Sequence, residues 1–340
     1  MDKQLQIAVV GATGLVGETL VELLEQRNFP FSKLYLLAAS EVAGKRVPFM
    51  GHNLIVESLE HFDFSQVQLA FFCAPEEVAA QYAPKALAAG CGVIDNSAAF
   101  RQQADTPLVI PGVNDSALDG LQWPAIVASP EAATVAMLVA LQPVHAAFGV
   151  THIDVVSLQP VSGAGRAAVA ALAGQTARLL NAQPIEDGVF GRQMAFNLLP
   201  QIEETQHNGY TRKENFIVSE TRKILQDPKL VVNPTAVRVS VFYGVSEAVT
   251  LQTREPVSPD AVAALLRQQA GIAYFEPKPE SPGPTPVTDV AGDDRVFVAR
   301  LRQPEGQPHS LSLWAATDNT RKGGALNSVH IGEILVKDYL

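Results

Sequence analysis

The sequence predicts an α/β protein of two domains, a Rossmann-type, doubly wound parallel sheet followed by an α+β domain. Three observations carry this expectation: a strand, glycine turn and helix at the start, alternating short apolar runs and helical stretches to about residue 130, and more regularly alternating strands beyond it. At 340 residues the chain exceeds the usual reach of one hydrophobic core, so two cores are expected.

Gln6-Ile7-Ala8-Val9-Val10 is a short β-branched apolar run. Gly11-Ala12-Thr13-Gly14-Leu15-Val16-Gly17 breaks it and leads to Leu20, Leu23 and Leu24 at helical spacing. Strands are expected at 34–38, 67–73, 92–95 and 125–128, with a helix over 76–89, an alternation that implies parallel pairing through right-handed crossovers. Beyond residue 129 the pattern gives a helix at 134–141, a strand at 151–158, a Ser-Gly-Ala-Gly turn and an Ala-rich helix at 166–180. Strands follow at 236–243, 248–252, 295–302 and 310–316. The proline-rich stretch 276–286 excludes a regular element, since proline removes ladder donors, and reads as a loop or linker. A last helix over 323–337 places Leu326, Val329, His330 and Ile334 near one face and is expected to pack back on the first domain. The expected domains are 1–130, 131–318 and the returning segment 319–340.

A hydrophobic content of 47% against 18% charged residues indicates a folded chain, and a formal charge of -10 argues against nucleic acid or an anionic membrane as partner. Cys73 and Cys91 are too few to staple a secreted fold, the start shows no signal-peptide pattern, and no apolar run is long enough to span a bilayer, so cytoplasm is the expected compartment. The seven histidines show no zinc-type spacing, and no metal is expected.

Gly11, Gly14 and Gly17 follow a strand and open a helix, the setting in which backbone can approach a pyrophosphate at a helix N-terminus. The spacing is G-x-x-G-x-x-G, and a purely structural turn is the competing reading. Near the end of the second strand, Glu41 could accept from the ribose 2′-hydroxyl of NAD and would repel the 2′-phosphate of NADP; a solvated loop position is the alternative.

Six segments in order resemble aspartate-semialdehyde dehydrogenase: the glycine turn, Val93-Ile94-Asp95-Asn96-Ser97-Ala98-Ala99-Phe100-Arg101, Ser162-Gly163-Ala164-Gly165, Glu220-Thr221-Arg222-Lys223-Ile224, Arg238-Val239-Ser240-Val241 and Asp318-Asn319-Thr320-Arg321-Lys322-Gly323. The resemblance, which extends to the Usg-type branch, implies an NADP-dependent oxidoreductase of amino-acid biosynthesis that dimerises through its second domain and works through a cysteine nucleophile and a histidine. The family's Asn-Pro-Asn-Cys-Thr-Thr segment corresponds to Ser129-Pro130-Glu131-Ala132-Ala133-Thr134, so Ala132 stands in the nucleophile's place. Its histidine segment corresponds to 238–247, where Val245 stands in the acid–base position. Alanine offers no nucleophile and valine moves no proton, so the thiol chemistry is expected to be absent.

By the same resemblance Gly11, Thr13, Gly14, Val16, Ser162, Gly163 and Asn319 match cofactor-contacting positions, while Glu41 and Val42 replace the arginine and serine that read the 2′-phosphate. NAD is therefore favoured over NADP. Arg238 matches the carboxylate-binding arginine, Glu214 the carboxylate for the amino group, Arg101 and Asn114 the phosphate-gripping pair, and Gln159 also matches. Phe216 replaces the phosphate-contacting lysine, so a small amino-acid-like ligand fits better than an acyl phosphate. The charged residues could equally be structural ion pairs.

The expected protein is a homodimeric ligand-binding or scaffold relative. The alternative is an NAD-dependent oxidoreductase acting on a small carbonyl or alcohol without covalent catalysis, with Glu131 as its acid–base group. Cys73 as a displaced thiol, and Ser162 or Thr134 as serine-type nucleophiles, are weaker options.

Overall fold

Nine segments build the sheet domain: β1 (Gln6–Val10), α1 (Leu15–Gln26), β2 (Lys33–Ala38), β3 (Arg46–Phe49), β4 (His52–Ser58), β5 (Leu69–Phe72), α2 (Glu76–Ala88), β6 (Gly92–Asp95) and β7 (Ile126–Ala128). The computed structural model describes residues 5–276, 278–281 and 283–340, and it divides into two compact units, Met1–Pro130 with Gly324–Leu340, and Glu131–Gly323. The first unit's strands lie in the order β3-β4-β2-β1-β5-β6-β7. Every pairing is parallel except the β3–β4 hairpin. Central strands covered on both faces must be apolar throughout, and Ile7 to Val10 and Leu69 to Phe72 are all fully buried. The hairpin was not anticipated. Its edge strand carries Pro48, which is tolerated where no further strand pairs, and it buries little besides Phe49.

The second unit contains α3 (Ala132–Phe148), β8 (Val150–Gln159), α4 (Arg166–Leu180), β9 (Leu198–Leu199), α5 (Arg212–Ile224), β10 (Val231–Val239), β11 (Val245–Thr253), α6 (Pro259–Leu266), β12 (Ile272–Tyr274), β13 (Val296–Arg302) and β14 (Ser310–Thr317). Its strands form a mixed sheet in the order β12-β13-β14-β11-β8-β10-β9. Helices α3, α5 and α6 pack on this sheet, and the face they cover holds Ile153, Val155, Val249 and Leu251. Val156, Val231 and Leu198 stay exposed, on the opposite face by strand alternation and register.

Several expectations needed correction. Helix α3 runs well past 134–141 because it is buried on nearly all sides and so lacks a readable amphipathic period; Gly149, at φ 66°, ends it. The strand expected at 236–243 spans Val231–Val239 instead, held in parallel register with β8. The chain then turns through exposed Phe242 and Gly244, at φ 93°, into β11. Helix α5 was missed because its apolar stripe is sparse, although Thr211 and Glu214 form a reciprocal capping box that the Thr-x-x-Glu pattern signals.

The proline-rich stretch lies between β12 and β13, inside the second unit, so it is a loop rather than a domain linker; Pro277 and Pro282 lie outside the described residues. Pro286 opens a π-helical turn, Pro286–Val290. The second unit continues past residue 318 to Gly323, because Asn319 is bonded to Ser162 and Gly244 within it.

The final helix α7 (Leu326–Asp338) belongs to the first unit, where Leu326, Val329, Ile331 and Leu335 join the core. The single face expected at Leu326, Val329, His330 and Ile334 is too narrow: residues 326–329 are all buried, Ile331 and Leu335 lie deeper than His330 and Ile334. Among the described residues no helix is long and apolar enough to cross a membrane.

Candidate functional site

Each unit carries its own group of candidate residues. In the first unit, the turn after β1 is set by close backbone approach. Gly11 has φ 79°, and a Cβ there would lie 2.4 Å from the Cys73 carbonyl oxygen; a Cβ on Gly17 would lie 2.1 Å from the Gly11 oxygen. Gly14 is less confined, its nearest contact being 3.3 Å. It is the N-cap of α1 and adds no side-chain hydrogen bond, so the first N–H groups of α1 remain open to an anion. Thr13 and Val16 stand half-buried beside it. These residues fit a dinucleotide pyrophosphate.

Glu41 sits exposed in the short 3₁₀ turn Ser40–Val42 directly after β2. Glu60, marked by no local sequence signal, lies close by: its Oε2 accepts from Ser40 Oγ at 2.8 Å, and Ser40 Oγ is also 2.8 Å from Ser58 Oγ. Two carboxylates thus stand at the turn that follows β2.

Arg101 is buried and donates from Nη2 to the Asn96 carbonyl at 2.6 Å. Asn114 braces its own loop, accepting from Ile110 N at 2.8 Å and donating to the Leu108 carbonyl at 2.9 Å. Asp95, fully buried, accepts from Ser97 Oγ at 2.7 Å; burial nevertheless raises its pKa, with Ser97 and Arg101 opposing the shift. Cys73 receives Asn96 Nδ2 at 3.6 Å, and burial, then the Asp95 charge, push its thiol upward, away from a reactive thiolate. Burial likewise holds the Cys91 thiol up at about 12.

In the second unit, Ser162, Gly163, Arg238 and Asn319 converge. Asn319 Nδ2 donates to Ser162 Oγ at 3.0 Å, and its Oδ1 accepts from Gly244 N at 3.0 Å. Arg238 Nη1 donates to the Pro160 carbonyl at 2.6 Å, a reach that requires Gly163, where a Cβ would lie 2.8 Å from Nη1. Gln159 pairs in register with Arg238 and donates to Ser157 Oγ at 3.4 Å. Glu214 has both oxygens engaged by backbone, Oε2 by Thr211 N at 2.7 Å and Oε1 by Ala236 N at 2.9 Å, and so ties α5 to β10. Ser162 is bonded to an amide rather than a base, and Thr134 is fully buried; neither is built as a nucleophile.

Ala132 begins α3, with Gly323 against it: a Cβ on that glycine would lie 2.7 Å from Ala132 Cβ. Val245 begins β11 and is buried. Around Ala132 the structure gathers charges that the sequence did not connect. Glu131 Oε2 lies 2.8 Å from Lys213 Nζ, and Glu131 N donates to Glu220 Oε2 at 2.9 Å. Lys213 also lies 3.5 Å from Glu203 Oε1. Burial lowers the pKa of Arg238, while Glu131 and Glu203 act against that shift. Glu247, in register with Ser157, is fully buried, and neither oxygen meets a donor at full hydrogen-bonding geometry; burial raises its pKa well above the usual range, the nearby Ser157 hydroxyl opposing the shift and the Glu131 charge adding to it. Lys213 lies one helical turn before Phe216, a spacing that could have flagged it as a relocated cation.

Residues 6–121 match the semialdehyde dehydrogenase NAD binding domain, and residues 141–322 the semialdehyde dehydrogenase dimerisation domain. Aspartate-semialdehyde dehydrogenase of Shewanella sp. (strain DB6705) is 47% identical over 339 residues, covering 100% of both chains. A USG-1 protein homolog of Azotobacter vinelandii is 42% identical over 337 residues, covering 99% of each. The crystal structure of aspartate semialdehyde dehydrogenase II from Vibrio cholerae, complexed with ASA, superposes with a TM-score of 0.96 at 46% identity and 100% coverage of both chains. On fold, matched domains and full-length likeness together, this chain belongs to the semialdehyde dehydrogenase family of oxidoreductases.

Proposed function

We propose that this protein has lost the thiol chemistry of its family and serves as a homodimeric ligand-binding or scaffold protein. The observation that carries this reading is the start of α3. Ala132 presents no nucleophile, the Glu131 carboxylate is paired with Lys213, and the Glu131 N–H is bonded to Glu220. Val245, at the position of the family's histidine, adds no proton carrier. Arg238 and Gln159, in register on neighbouring strands, support an amino-acid-sized ligand. Direct hydride transfer with Glu131 as acid–base group is disfavoured by that carboxylate's ion pair.

Glu41 and Glu60 beside the ribose position support NAD over NADP as the bound dinucleotide. The matched dimerisation domain and the exposed Val156, Val231 and Leu198 support a homodimer. The deciding experiment supplies purified protein with aspartate semialdehyde, phosphate and NADP or NAD. Turnover is expected at least about 10⁴ below that of a cysteine-bearing relative, since members of a catalytic unit are each indispensable. Turnover comparable to such a relative would overturn the proposal.

A further inference from the structure

The ends of β2 and β4 are joined by a hydrogen-bonded chain of side chains. These strands pair in parallel register with Ala38 opposite Ser58, so Ser40 and Glu60, each two residues further on, emerge side by side at one edge of the sheet. Ser40 Oγ donates to Glu60 Oε2 at 2.8 Å, which commits its only proton. The 2.8 Å contact between Ser40 Oγ and Ser58 Oγ is therefore donated by Ser58, and the 3.2 Å contact between Ser58 Oγ and His61 Nδ1 is donated by the ring. The chain thus runs one way, from His61 through both serines to Glu60, and each link orients the next. Among the described residues Glu60 Oε1 accepts no hydrogen bond, so the aimed carboxylate keeps an oxygen for a ligand. Glu41 is exposed in its turn and has no such anchor.

The glycine turn lies at the same edge. Gly11 N and Ala12 N donate to the Leu37 carbonyl at 2.8 and 3.2 Å, three residues before Ser40. A dinucleotide whose pyrophosphate sits at the open N-terminus of α1 carries its adenosine ribose next to it, toward the end of β2. We propose that Glu60, aimed by Ser40 and supplied from the neighbouring strand β4, is the residue that accepts from the ribose 2′-hydroxyl, while Glu41 adds only negative charge against a 2′-phosphate. This rests on the NAD-binding reading above and moves its hydroxyl recognition from Glu41 to Glu60. The physical reason is preorganisation. A carboxylate already held by a serine gives up little side-chain freedom when the hydroxyl arrives, whereas Glu41 would have to be ordered by the ligand itself.

The test is fluorescence titration of the full chain with NAD, with NAD lacking the adenosine 2′-hydroxyl, and with NADP. The unmodified protein is expected to bind NAD at least about tenfold more tightly than the 2′-deoxy form, the worth of one hydrogen bond to a charged acceptor. Glu60→Ala should bring that ratio to within about twofold of one, Ser40→Ala should lower it by about threefold, and Glu41→Ala should leave it unchanged, each variant being folded by circular dichroism. If Glu60→Ala keeps the preference, if Glu41→Ala erases it, or if the unmodified protein binds both forms equally, the inference fails and the NAD-binding reading stands. If NADP binds more tightly than NAD, or neither dinucleotide binds, the inference fails together with that reading.

Discussion

Gly163 and Arg238 are packed so that a single methyl group would separate them: a Cβ on Gly163 would lie 2.8 Å from Arg238 Nη1, the atom that donates to the Pro160 carbonyl at 2.6 Å. Gly163→Ala should therefore displace the guanidinium and, because the atom in the way is the end of a flexible side chain, cost about 1 kcal/mol, the low end of overpacking. Urea unfolding measures the loss, and an unchanged midpoint would show that Arg238 has another way to sit.

The three glycines after β1 should separate by role. Gly11→Ala and Gly17→Ala meet backbone at 2.4 and 2.1 Å, whereas Gly14→Ala meets its nearest atom at 3.3 Å. The first two should each lose about 1–3 kcal/mol or fail to fold, the third about 1 kcal/mol or less. Gly14→Ala should still weaken dinucleotide binding, because the added methyl group stands at the N-cap, next to the first N–H groups of α1. Thermal melts with and without NAD distinguish these outcomes.

Glu247 should make stability fall as pH rises. Its folded pKa is raised by burial, so the native state keeps a proton that the unfolded chain has lost. The associated stability is intact below the ordinary glutamate range near 4.5 and declines above it, by up to about 1.4 kcal/mol per pH unit until the folded pKa is reached. Glu247→Gln, which imitates the protonated acid, should be the flatter of the two between pH 5 and 8 in denaturant titrations. Parallel curves for the two proteins would rule this out.

Glu41→Arg should reverse cofactor preference. Replacing one of the two carboxylates after β2 by a cation should raise NADP affinity relative to NAD by at least about tenfold, read by fluorescence titration. No change would place Glu41 outside the cofactor's reach.

Neither Ala132→Cys nor Val245→His alone should create measurable semialdehyde oxidation, since a thiol without its proton carrier, or the reverse, is incomplete. The double variant should exceed both singles yet stay well below a cysteine-bearing relative, because Glu131 and Phe216 still oppose phosphate. A steady-state assay that found either single variant as active as the double would contradict this.

Much of the frame could be read in advance because it rests on local signals. The turn at Gly11 to Gly17 follows from glycine geometry, and β1, β5 and β6 from apolar runs that only a two-sided sheet can bury. Helix α5 was hidden because most of its residues are polar, and β10 was misplaced because its start depends on pairing with β8. Ser162, Gly163, Arg238 and Asn319 were identified separately, and folding joined them.

By itself the sequence determined which groups are present: glycines at the first turn, Glu41 after the second strand, Ala132 at the start of α3 and Val245 at the start of β11. Only the tertiary structure decided what surrounds Ala132. Lys213 reaches Glu131 across 82 residues of sequence, and Glu247 is fully buried on β11 opposite Ser157 of β8. No local pattern encodes such relationships, because the energy of a buried charge depends on which distant charges folding brings to it.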